Sequence, residues 1–199
     1  MPELQDGREA SPEAAAPSGS PLVGVILEFP DRIAEDLRGW RESFGDSLAD
    51  LIPAHITLVT TTETDDWEAT ERHVRAVASR MHPFRVRLQG TGSFRPVSPV
   101  VYVNVAEGFD ECVRLHRELQ KGPLARALQF PYHPHVTVAH DLQPERLDEA
   151  QNALKSYSES FTVASMGLYE HDSDGLWQLK EELDFGTRPE VPREGKHEG

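Results

Sequence analysis

The chain has 199 residues, 38% of them hydrophobic, and a formal net charge of −14. That length supports one domain, or two small lobes sharing a core. The acid excess excludes broad, non-specific binding of long nucleic acid, which rests on Lys and Arg neutralising phosphates. A DNA duplex is therefore not an expected partner. A small nucleotide or an RNA end, held in a local basic cleft, is easier to reconcile with this charge.

Residues 1–20 are rich in Pro, Ala, Ser, Gly and Glu, and residues 187–199 contain Pro189, Pro192, Gly195 and Gly199. Neither segment holds enough large apolar residues to offset the entropy of ordering it, so both read as disordered tails around one domain at 21–186. Residues 1–20 carry four acids and one arginine, and residues 187–199 carry three charges of each sign, so −11 of the −14 lies between them. Glu3, Asp6, Glu9 and Glu13 and the lack of an apolar stretch argue against a secretory signal. No run is long enough to span a membrane, so no membrane partner is expected. The lone Cys112 forms no internal disulfide and suits a cytoplasmic setting; its place on an apolar helix face reads as core filling.

From Leu22 onward the pattern is regular. Leu22–Phe29 reads as a buried strand. A helix follows, with Ile33, Leu37, Trp40 and Phe44 at helical spacing and Asp31 as N-cap. Ala54–Thr60 reads as a strand. Asp65 and Asp66 then open a helix with Trp67, Val74, Val77, Ala78 and Met81 on one face, and Phe84–Leu88 alternates as a strand. Gly90–Pro99 is a Gly/Ser/Pro-rich connector. Val100–Val105 is a strand, Phe109–Lys121 a helix stopped by Gly122-Pro123, and His135–His140 a strand. A helix with Leu147, Ala150 and Leu154 follows. Phe161–Tyr169 returns as one strand, and Trp177–Phe185 is a last strand reached through the turn His171–Gly175.

This order is a duplication: strand, helix, strand, helix, strand, twice, over about 22–89 and 100–170. Val25 to His55 spans 30 residues and Val103 to His135 spans 32. The expected architecture is α+β, with two sheet lobes packed about a pseudo-two-fold axis.

The third element of each half carries the same signature, His55-Ile56-Thr57-Leu58 and His135-Val136-Thr137-Val138. In a strand, alternate side chains share a face, so each motif presents one imidazole and one hydroxyl together, with apolar residues opposite. As strings these matches mean little, since about one such match is expected by chance; His171-Asp172-Ser173 is another, in a turn. Their equivalent placement in a repeat is the informative signal. Two imidazoles in one cleft can act as an acid/base pair on a phosphodiester, with the hydroxyls holding phosphate oxygens.

Here the sequence resembles the 2H phosphoesterases, and within them the bacterial 2′-5′ RNA ligase-like branch. The resemblance covers about residues 22–186 and rests on Pro53–Leu58, Phe84–Gly90 running on to Phe94, Val100–Val103, Tyr132–Ala139 and Phe161–Tyr169. It implies a bilobal α+β fold with two antiparallel-rich sheets around a central cleft, and metal-independent chemistry, without a cofactor, on cyclic phosphates or 2′-5′ linkages. It implies His55 and His135 as catalytic residues and Thr57 and Thr137 as phosphate-binding residues. Members of this branch often carry Arg shortly after the second motif, where this chain has His140.

Further candidates line up around these four. Phe94 and Tyr132 suit stacking on a base or packing between lobes. Arg95 in the connector suits a phosphate or plain solvent. His133 and His140 are candidate substrate contacts. With His135 they also invite a metal reading, which the absence of a Cys cluster or an H-E-x-x-H motif disfavours. His73, His82 and His116 read as solvated or helix-packing residues. The expected function is hydrolysis of 2′,3′-cyclic phosphates of nucleotides or RNA ends, or 2′-5′ RNA ligation or cleavage, by a monomer. The alternatives are a nucleotide-binding module without turnover and a metal-dependent hydrolase.

Overall fold

The computed structural model describes residues 21–171 and 177–187. The expected tails and the turn after His171 fall largely outside these residues. The elements, in chain order, are β1 (Leu22–Leu27), α1 (Asp31–Phe44), β2 (Ile56–Glu63), α2 (Trp67–Arg80), β3 (Phe84–Ser93), β4 (Val100–Glu107), α3 (Phe109–Leu119), β5 (His135–His140), α4 (Pro144–Ala153), β6 (Ser158–Val163), β7 (Ser165–His171) and β8 (Trp177–Asp184). A short 3₁₀ turn at Gly122–Leu124 follows α3.

The helices follow from their apolar spacing. Ile33, Leu37 and Phe44 of α1, Val74, Val77 and Ala78 of α2, and Cys112, Leu115 and Leu119 of α3 are the buried faces. Asp66 caps α2 by accepting from the Ala69 amide at 2.8 Å. Asp31 does not cap α1: Pro30 occupies that position, and Asp31 lies in the first turn, where its charge favours the helix dipole. Gly45, at φ 94°, ends α1 in the left-handed conformation that only glycine adopts without strain. Cys112 is fully buried, and burial pushes its thiol up to about 12, as suits a core residue and not a nucleophile.

Two antiparallel four-stranded sheets result, in the orders β2-β1-β7-β8 and β5-β4-β3-β6. The α+β, two-sheet architecture is as expected, but the lobes are not the two sequence halves. Each half sends its later strand into the other sheet. β3, from the first half, lies between β4 and β6, and β7, from the second half, lies between β1 and β8. The expected single strand Phe161–Tyr169 is two strands that part at Ala164. Phe161 pairs with Val86 in one sheet, while Leu168 pairs with Val25 in the other. No Gly or Pro marks that crossing, so local sequence gives no sign of it. The Gly/Ser/Pro-rich connector is also shorter than read, because β3 runs on to Ser93.

Candidate active-site cavity

The two motifs occupy matching places in matching sheets. β2 lies beside β1 and β5 beside β4, each at one edge of its sheet. Both pairings carry the same irregularity. Val25 and Ile26 face Val59 and Thr57, and Val101 and Tyr102 face Ala139 and Thr137, so Leu58 and Val138 are the extra residues of equivalent bulges. The burial sequence is identical across 54–59 and 134–139. The His and Thr are half-buried, the residues between and before them are buried, and the bulge leaves two consecutive buried residues after the Thr.

The imidazoles are braced alike. His55 Nδ1 lies 2.8 Å from the Pro53 carbonyl oxygen, and His135 Nδ1 lies 2.7 Å from that of His133. A carbonyl only accepts, so in both rings Nδ1 carries the proton and donates it. In the neutral ring, Nε2 is then left as the basic nitrogen. Burial pushes both imidazoles below their usual range. The backbone carbonyls oppose that shift, and for His135 the nearby His133 and His55 add to it. Protonation of one motif histidine is thus felt by the other.

His55, Thr57, His135 and Thr137 line one cavity of about 580 Å³, together with Arg41, His140, Asp141 and Trp177. A second cavity of about 700 Å³ shares Thr57, His135 and Thr137 with it and is walled by Phe94, Leu128, Phe130, Tyr132 and His133, with Arg126 and Gln120. These volumes suit small-molecule ligands. The first cavity is thus the more polar of the two, and the second is largely apolar. Among the described residues no cluster of three His, Cys, Asp or Glu side chains is arranged to hold a metal ion.

The other sequence candidates divide. His140 lies in the first cavity, with Nδ1 3.4 Å from Asp141 Oδ2. Phe94 lies in the second, its ring edge-on to His135 at 4.9 Å and tilted against Tyr102 at 4.4 Å. Tyr102 can lie there because its neighbour across the strands is Gly92; a Cβ at that position would sit 2.6 Å from the Tyr102 ring. Tyr132 stacks flat on His116 at 3.9 Å and donates its hydroxyl to the Thr57 carbonyl at 2.8 Å. His133 packs edge-on against Phe94 and Phe109, and its backbone carbonyl, not its ring, braces His135. Arg95 lines neither cavity. Its guanidinium is committed to Asp148 and Gln151 of α4, both at 2.8 Å, and so holds the connector down.

Three residues around the site were not among the sequence's site candidates. His116 is buried and donates from Nδ1 to the Leu58 carbonyl at 2.7 Å; with Tyr132 it fastens α3 and the segment before β5 to the first motif. Its signal was its position four residues after Cys112, on the apolar face. Arg41 likewise continues the stripe Ile33–Leu37 by four residues, and a charge on that stripe stands out. Arg126, which donates to the Thr61 carbonyl at 3.2 Å, had no local signal.

His55, His116 and His135 are all pushed down by burial, which makes stability depend on pH. The unfolded chain takes up protons at these positions as pH falls through about 6.5, while the folded chain does not until lower pH. Stability is therefore full above that value and declines below it, down to the folded-state pKa values. The urea midpoint is expected to fall between pH 7 and pH 5, and a His116→Gln variant is expected to lose part of that dependence. An unchanged midpoint contradicts the buried, neutral assignment.

Two sheets exchanging strands, with a repeated His-x-Thr motif at the meeting edges, define a bilobal two-histidine class of α+β protein. The comparisons agree. The 2'-5' RNA ligase superfamily profile matches residues 29–175, and the chain belongs to that family. A Bacillus pumilus protein named "Putative phosphoesterase" is 32% identical over 168 residues, covering 82% of this chain and 96% of its own. One from Geobacillus kaustophilus is 29% identical over 172 residues, covering 84% and 98%. Among solved structures, E. coli LigT complexed with 3'-AMP superimposes with a TM-score of 0.61 at 19% identity, covering 83% of this chain and 98% of that one. The Thermus thermophilus protein TT0787 gives 0.60 at 18% identity, covering 84% and 99%. These structures establish the fold.

Proposed function

We propose that this member of the phosphoesterase family hydrolyses 2′,3′-cyclic phosphates at a nucleotide or an RNA end. His55 and His135 serve as the acid/base pair, and Thr57 and Thr137 hold the phosphate oxygens. The observation that carries this reading is that both motif histidines, identically braced through Nδ1, line one cavity with both motif threonines.

The chemistry follows from the bracing. One neutral imidazole accepts a proton at Nε2 from water as the water oxygen bonds to phosphorus. The bond from phosphorus to one ribose oxygen breaks, and that oxygen takes a proton from Nε2 of the other, protonated imidazole. The threonine hydroxyls donate to the non-bridging oxygens as their charge grows. The carbonyls of Pro53 and His133 accept from Nδ1 in either charge state, so the rings keep their orientation through the cycle. Mutual repulsion between the two imidazolium ions favours the state with one proton shared between two rings, which this cycle requires. With a 5′-hydroxyl attacking in place of water, and the bond from phosphorus to the ribose 3′ oxygen breaking, the same proton transfers would join two ends through a 2′-5′ linkage. The apolar cavity suits a base or nucleoside on one side of the phosphate, with Phe94, Phe130 and Tyr132 as its walls. E. coli LigT complexes with 3'-AMP, ATP and NADP+ support a nucleotide as the ligand class. The acid excess favours a small or terminal substrate over a long strand.

The deciding experiment is turnover of all four nucleoside 2′,3′-cyclic phosphates with EDTA present. Hydrolysis that survives the chelator is expected. Nucleotide binding without turnover of any substrate points instead to a binding module, and loss of activity in EDTA points to a metal-dependent hydrolase.

A further inference from the structure

We propose that Arg41 is an anion-binding residue of the first cavity, supplying from the first half of the fold the fixed positive charge that holds the substrate's phosphate. This rests on the reading of the cavity as a phosphate-ester site. The need for such a charge comes from the chemistry. A phosphodiester enters as a monoanion and gains charge as water adds, and hydroxyls alone stabilise that charge poorly in a partly buried cleft.

Among the described residues, Arg41 is the one arginine or lysine that lines this cavity. His140 Nδ1 lies 3.4 Å from Asp141 Oδ2, so its ring faces a carboxylate that competes with an anionic ligand. Arg41 is also unusually fixed. Its side chain is 7% exposed and that of its partner Asp46 is 6% exposed. Its Nε donates to Asp46 Oδ2 at 2.8 Å, and its Nη1 donates to the Ile52 carbonyl. Asp46 is itself held, accepting from the Leu48 amide at 2.9 Å. A guanidinium has five N–H donors, and these two contacts leave Nη2 without a protein acceptor among the described residues. The result is a rigid fork whose ordering is complete before substrate arrives, the form in which Arg binds phosphate best.

The rival role is purely structural, because Arg41 ties the end of α1 to the loop that leads through Pro53 to His55. A buried ion pair is weak evidence for such a role, since apolar residues of similar size often serve stability equally well. Its place on the wall shared with His55 and both threonines is what a staple alone does not require.

Arg41→Met alone would leave Asp46 buried and unpaired, so the test uses Asp46→Asn, the double variant Arg41→Met/Asp46→Asn, and Arg41→Lys, each checked for cooperative unfolding. Binding of inorganic phosphate is measured by titration calorimetry. Asp46→Asn is expected to bind phosphate at least as tightly as the parent protein, because the cation stays and its counter-charge goes. The double variant is expected to bind it more weakly by about tenfold or more, the scale of a lost charge-assisted hydrogen bond, with Arg41→Lys between. Equal affinity in the single Asn variant and the double variant overturns the proposal. So does an Asp46→Asn loss as large as that of the double variant, or an absence of phosphate binding in the parent protein. The readout needs no turnover. Phosphate affinity that follows Arg41 without hydrolysis of cyclic phosphates sinks the reaction and spares this site, and the converse pattern does the reverse.

Discussion

Replacing His55 or His135 by Ala is expected to lower the hydrolysis rate of a nucleoside 2′,3′-cyclic phosphate by about 10²–10⁴, the usual worth of a positioned acid or base. The two losses are not expected to add. Once one ring is gone the proton cycle is broken, so the double variant falls little below the worse single one. The profile of rate against pH is expected to be bell-shaped, with one limb for each imidazole. Because burial pushes both rings down, the activity is expected to extend below the ordinary imidazole value of about 6.5 before the acid limb sets in. Either single variant with full turnover contradicts the acid/base assignment. Thermal unfolding of each variant separates loss of chemistry from loss of fold.

Leu168→Ala is expected to lower the unfolding free energy by about 2–5 kcal/mol, the range for emptying a buried leucine site. Leu168 is completely buried on β7, opposite Val25 of β1. It belongs to the strand that the second half contributes to the first half's sheet. The loss is therefore expected to appear in one cooperative transition, read identically by far-ultraviolet circular dichroism and by tryptophan fluorescence. Val86→Ala on β3, the reciprocal strand, is expected to act through the same transition, with a smaller loss because the truncation removes one carbon fewer. Two separable transitions, one for each sheet, would contradict the idea that exchanged strands make the lobes a single unit.

Much of this protein was legible before its tertiary structure. Helix faces followed from the spacing of residues such as Val74, Val77 and Leu115, because burial on a helix depends on a local period. β5 was readable to the residue, and the duplication placed the two motifs at equivalent points. Alternation put His55 beside Thr57 and His135 beside Thr137, since a strand's side-chain period is set by its backbone alone.

What sequence did not determine is everything that depends on partners distant along the chain. The crossing at Ala164 has no local marker, because Val163, Ser165 and Met166 are equally at home in either sheet; only the pairing with β3 and then β1 separates them. The bulges at Leu58 and Val138 exist only against β1 and β4. Arg95 looked free because its acceptors on α4 lie more than fifty positions away, and His116 looked peripheral because the Leu58 carbonyl that holds it lies 58 positions away. Sequence thus determined which side chains are candidates for the proposed chemistry and which share a strand face. The tertiary structure decided that the two faces open on one cavity, that one wall is apolar, and that Arg41 stands with them, because cavities are made by contacts between segments and not by the segments themselves.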